Sequence, residues 1–229
     1  MKGGKSKLDW SVFDAEHATA NAHHEAAHAV SYFICGMPAE HLVHISMIGD
    51  DDTVARIRRT HCIDALLLSS IEPATVPPEL ADVYRRAAIR ESVFGFAGPA
   101  ADNRFKNGSD DWFQDMCDNG LYLENTDFSR PLEYATNILR TGGLAWHLLR
   151  TAARWTDELL DVPRVWNTIT ALANRLAVGK IMPGHKAFGI MESAWGGSAS
   201  SIPVLDLGIR WRRRFFGARP SAPADLLRK

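Results

Sequence analysis

Histidines four residues apart on a helix project from one face, and the chain carries such a pair in His24-Glu25-Ala26-Ala27-His28. This is the H-E-x-x-H pattern, in which two imidazoles hold one zinc ion and the glutamate beside the first reaches the water on it. Zinc brings the pKa of water down to about 7, and a nearby carboxylate takes the proton as that water attacks a carbonyl. With nine histidines in 229 residues, the pattern arises by chance about one or two times in a hundred, so it carries weight. His24 and His28 are therefore expected as metal ligands and Glu25 as the general base.

A catalytic zinc needs a third protein ligand and one open position. The metzincin extension of the motif calls for Gly at 31 and His at 34; the chain has Ser31 and Ile34, which excludes that class. The third ligand is then a downstream carboxylate. Glu91, Asp102, Asp110, Asp111, Glu124, Asp127 and Glu133 are all available, and spacing does not choose among them.

The elements that must position these groups are mostly helical. Residues Asp14–Ile34 are alanine-rich, lack Gly and Pro, and stop at Cys35-Gly36 with Pro38 beyond. Ser11 and Asp14 are the caps on offer. Leu42 to Ile48 is β-branched and apolar, Gly49-Asp50-Asp51-Asp52 follows, and Thr53–Arg58 alternates apolar and charged, which predicts a β-hairpin. Its free edge suits an extended peptide. Three prolines mark Ile71–Pro78 as loop, and a helical pattern from Glu79 to Phe105 is expected to split or kink at Gly95, Gly98 and Pro99. The small residues Gly95, Ala97, Gly98, Ala100 and Ala101 would let this helix approach the His24 helix closely. Asn107–Asp127 reads as polar loop, Pro131–Trp155 as helical except at Gly142-Gly143, and Arg164–Val178 as an amphipathic helix ended by Gly179. The fold class is mainly α with one small hairpin.

His24-Glu-Ala-Ala-His-Ala-Val30, the Gly36-Met-Pro turn and the strand Val43-His-Ile-Ser-Met resemble the start of the peptidase domain of FtsH-type membrane AAA proteases. Phe96-Ala-Gly-Pro-Ala-Ala-Asp102 is similar to that family's L-A-G-R-A-A-E segment. Ile169-Thr-Ala-Leu-Ala-Asn-Arg-Leu176 onward to Lys186 is similar to its closing helix and turn, so the likeness spans about residues 17–191. The family's third zinc ligand is an aspartate in a pattern like N-D-L-x-x-A-T, and its best counterpart is Asn125-Thr-Asp-Phe128 leading to Ala135-Thr136. The resemblance thus implies Asp127 as third ligand, with Asp102, Asp110 and Asp111 as rivals, and a zinc-dependent endopeptidase as the activity. Two departures bear on geometry. The family's Gly within H-E-A-G-H is Ala27, which adds a methyl where helices pack, and Pro131 four residues after Asp127 is expected to put Asp127 ahead of its helix.

The sequence has no P-loop and no apolar run of the roughly 18 residues that cross a bilayer. A peptidase without a motor is expected to cut flexible or unfolded polypeptides, or to rely on a partner protein that presents them. The alternative is a peptidase-like module that binds or regulates without turnover. Lys and Arg number 26 and Asp and Glu 27, a net charge of -1 that disfavours a whole-chain polyanion binder. Cys35, Cys62 and Cys117 are odd in number and unpaired in spacing, which suits the cytoplasm and small apolar packing roles. His17, His23, His41, His44, His61, His147 and His185 lack ligand spacing among themselves. The domain division is an N-terminal extension over 1–13, a peptidase-like domain over 14–192 and a flexible basic tail over 193–229. In that tail, Arg210-Trp-Arg-Arg-Arg-Phe-Phe216 suits an anionic membrane or single-stranded nucleic acid.

Overall fold

The computed structural model describes residues 10–36, 39–47, 56–59, 81–106, 108–109, 111–118, 126–139 and 142–197. Among these residues seven helices, α1 (Trp10–Ile34), α2 (Ala81–Phe105), α3 (Trp112–Asp118), α4 (Thr126–Leu139), α5 (Gly142–Leu160), α6 (Pro163–Gly179) and α7 (Gly184–Trp195), accompany one small sheet. Its strands are β1 (Leu42–Ser46), β2 (Arg56–Arg59) and β3 (Ile181–Pro183), in the order β2-β1-β3 and all antiparallel. The mainly α class with one small β element is as the sequence pattern implies.

Helix α1 is the centre of the packing. From Ala22 to Ile34 nearly every side is covered, with Ala22, Ala26, Ala29, Val30 and Phe33 at 0% exposure and the polar His23, Glu25, His28 and Ser31 buried among them. It packs most extensively on α2 and α6. It ends at Gly36, whose φ of 69° is the left-handed conformation that glycine takes without steric cost. Ala27 is accommodated at 1% exposure.

Several boundaries differ from expectation. Helix α1 begins at Trp10, so Ser11 and Asp14 lie within it rather than capping it. Helix α2 runs unbroken through Gly95, Gly98 and Pro99; its packing on α1, α4 and α5 outweighs the penalty of about 3 kcal/mol that an interior proline carries. Trp112-Phe113, buried at 5% and 4%, anchor a helix where polar composition suggests loop. Helix α7 continues past Glu192 to Trp195, whose indole packs on Phe33 and under the Arg164 guanidinium.

A third strand joins the expected hairpin. Gly179 closes α6, but the residue with positive φ is Lys180 (57°), whose carbonyl accepts from Met47 N–H at 2.5 Å and starts β3 against β1. Strand β1 is consequently central, and β2 and β3 are the edges among the described residues. Among those residues no helix is long and apolar enough to cross a membrane. The expectations for Cys62, His61, Ile71–Pro78, Asp110, Glu124 and the basic aromatic segment 210–216 lie outside the described residues.

Candidate metal centre

His24 and His28 sit in the buried middle of α1, and α2 crosses them with its small-residue stretch. Helix α4 supplies Asp127 from its first turn, where a carboxylate also suits the positive end of the helix dipole. The next residue fixes that turn. Phe128 is fully buried among Phe96, Phe113 and Trp146, with ring centroids 5.4, 5.2 and 5.9 Å away. Asp127 is thus inside the helix rather than ahead of it. Pro131 has no N–H for the Asp127 carbonyl, and that carbonyl lies against Gly95, where a Cβ would come within 2.5 Å of it.

Three donor atoms converge here. His24 Nε2 and His28 Nε2 are 3.1 Å apart, and Asp127 Oδ2 is 3.2 Å from the first and 3.4 Å from the second. Three ligands at about 2.0–2.1 Å from one tetrahedral ion stand about 3.3 Å from each other. The observed triangle is of that size, and the group His24, His28 and Asp127 can hold a metal ion.

The outer nitrogens decide which atoms face inward. His24 Nδ1–H donates to Asp102 Oδ2 at 2.9 Å, and His28 Nδ1–H donates to the Phe94 carbonyl at 2.6 Å. With a proton fixed on each Nδ1, both Nε2 lone pairs point at each other and at an anionic oxygen. Three acceptors in partly buried surroundings repel unless a cation lies between them. The donor set fits a metal ion for that reason, and a proton is its only small substitute.

The electrostatics agree. Burial alone would lower the His24 pKa, but the Asp102 and Asp127 carboxylates on its two nitrogens outweigh it and raise it to about 10. Burial likewise opposes ionisation of Asp127, yet the charges and hydrogen bonds of His28 and His24 hold it well below the usual carboxylate range. Glu25, 5% exposed, is pushed up by burial and pulled back by His28 and His24. It shares the field of the three donors without belonging to their group.

Of the rival carboxylates, Asp102 serves as hydrogen-bond acceptor to His24 rather than as a member of the donor triangle. Glu91 is buried elsewhere on α2, Glu133 is exposed on α4, and Asp111 accepts from Gln114 N–H at the start of α3. His23 is buried but turned away, stacked between Phe105 and Trp166 with its Nδ1 2.9 Å from the Thr19 carbonyl. His147 and His185 are exposed. Cys35 and Cys117 are half-buried and pack at the edge of the core. The Phe94 carbonyl left no sequence signal, since a backbone acceptor has no residue type. Comparison with protein-family models and with curated proteins gives no match for this chain.

Proposed function

We propose that the protein is a zinc-dependent metallopeptidase that hydrolyses peptide bonds in flexible or unfolded polypeptides. The observation that carries this reading is the triangle of His24 Nε2, His28 Nε2 and Asp127 Oδ2, 3.1–3.4 Å on a side, beside the buried carboxyl of Glu25. Two histidines and one carboxylate are a donor set found at catalytic zinc sites, and it leaves a position open. The resemblance of residues 17–191 to FtsH-type peptidase domains supports the same activity. The odd number of cysteines, with no C-x-x-C pair, suits action in the cytoplasm.

In this reading His24, His28 and Asp127 hold the ion, which when bound polarises the scissile carbonyl and acidifies water. Asp102 and the Phe94 carbonyl keep the two imidazoles in the tautomer that presents Nε2. Glu25 takes the proton from the attacking water and returns it to the leaving amine. A carboxylate whose pKa is raised by burial is the better base for the first transfer. The substrates in this reading are segments that are already extended, or that a partner protein presents.

The test is Glu25→Gln. It is expected to retain metal while cleavage of an unfolded protein falls by about 10²–10⁴-fold. Cleavage by this variant at the wild-type rate would show that Glu25 moves no proton in the reaction.

A further inference from the structure

Gly98 lies on the face of α2 that meets the two histidines, and its lack of a side chain has a specific consequence. A Cβ at this position would be 2.4 Å from His24 Nε2, 2.4 Å from His28 Nε2 and 2.7 Å from His24 Cδ2. Non-bonded heavy atoms settle at about 3.5–4.0 Å, so each ring would have to retreat by about 1 Å. Neither ring has easy room to do so. His28 is 3% exposed, and both are held from behind, by Asp102 and by the Phe94 carbonyl.

The ion's own place is equally constrained. With the two nitrogens 3.1 Å apart, an ion about 2.0–2.1 Å from both lies about 1.3 Å off the line that joins them. The Cβ, 2.4 Å from both, would lie about 1.8 Å off the same line and in the same perpendicular plane. The two would stand no more than about 3.2 Å apart, with the methyl at the edge of the ion's coordination sphere. A methyl at 98 thus displaces the ligand nitrogens and crowds the ion's surroundings.

We propose that Gly98 is a positioning residue that keeps open the space in which the two Nε2 atoms meet a metal ion, beyond its part in helix packing. The inference rests on the metal reading above. The neighbouring glycine on the same helix, Gly95, serves helix contact instead, since its Cβ would meet the Asp127 carbonyl at 2.5 Å and Pro131 Cγ at 2.8 Å, the backbone and ring of α4.

The test is zinc affinity of the full chain by competition with a chromophoric chelator, for wild type and Gly98→Ala, together with melting in excess chelator. Gly98→Ala is expected to bind zinc at least about 100-fold more weakly while keeping its helical circular dichroism. Zinc affinity within threefold of wild type would overturn the proposal, because α2 would then have yielded in place of the rings. Should Gly98→Ala fail to fold, the same change is made in a His24→Ala/His28→Ala background. There the proposal predicts an unchanged melting temperature, since the atoms it collides with are gone; an equal loss in that background would place the collision elsewhere and overturn it. Failure of the wild-type chain to take up zinc removes the metal reading and this inference with it. Wild-type uptake with undiminished uptake by Gly98→Ala removes this inference alone.

Discussion

Metal capture by this site should depend on pH over a range set by His24. Its imidazole lies between two carboxylates, Asp102 at Nδ1 and Asp127 at Nε2, and although burial opposes the charge they raise its pKa from 6.5 to about 10. In the metal-free protein the stabilisation from that charge is fully present below 6.5 and is lost as pH rises through about 10. A metal must expel the same proton, so apparent affinity gains about tenfold per pH unit up to that value. At pH 7 the deficit relative to a deprotonated site is about three decades, on the order of 4 kcal/mol. Asp102→Asn removes one of the two charges. Its affinity should stop rising at a lower pH, and at pH 9.5 it should bind about 10–100-fold more weakly than wild type because His24 Nδ1 has lost a carboxylate partner. Chelator competition at pH 7.5, 8.5 and 9.5 reads both effects. A wild-type affinity that is flat over this range, as histidines near 6.5 would give, would show that the two carboxylates do not hold a proton on His24.

Three further changes test the fold that carries the site. Burial raises Asp157 from 3.8 to about 6 despite the 2.8 Å bond it accepts from Trp112 Nε1–H, so the stability linked to this group is present below 3.8 and lost as pH rises through about 6. Asp157→Asn should therefore raise the melting temperature by about 2–4 °C at pH 8, about 1 kcal/mol after allowance for partial exposure, and leave it unchanged at pH 4. A Cβ on Gly184 would come within 1.6 Å of the Leu42 carbonyl oxygen, so Gly184→Ala should lower the melting temperature by about 6–12 °C, an overpacking cost of about 3 kcal/mol. Lys180 adopts φ 57°, ψ -35°, where only glycine is at ease, and Lys180→Gly should raise melting by about 2–4 °C.

The reach of the sequence follows from what each feature depends on. Helix α1 and its two histidines are legible because an i, i+4 pair on an alanine-rich segment is a local fact. Asp127 emerges only through resemblance, for it comes from a different helix and spacing leaves seven carboxylates equal. The structure separates two of them by atom: Asp127 faces the Nε2 pair and Asp102 faces Nδ1 of His24, roles that differ by the width of one ring. Proline misleads twice, at Pro99 and Pro131, because tertiary packing around Phe96 and Phe128 outweighs a local preference. Strand β3 is invisible for a related reason. Three residues carry no periodicity, and Ile181–Pro183 is a strand only because β1 lies beside it. The same holds for Gly98, which reads as one more small residue until the rings that meet it are in view.

Whether His24, His28 and Asp127 hold a catalytic zinc is decided by elemental mass spectrometry of the purified chain beside His24→Ala, His28→Ala and Asp127→Ala. About one zinc per wild-type chain is expected, with loss of the metal in all three variants, each still helical by circular dichroism. A wild-type protein that carries no zinc, and takes none up when it is supplied, would rule the site out.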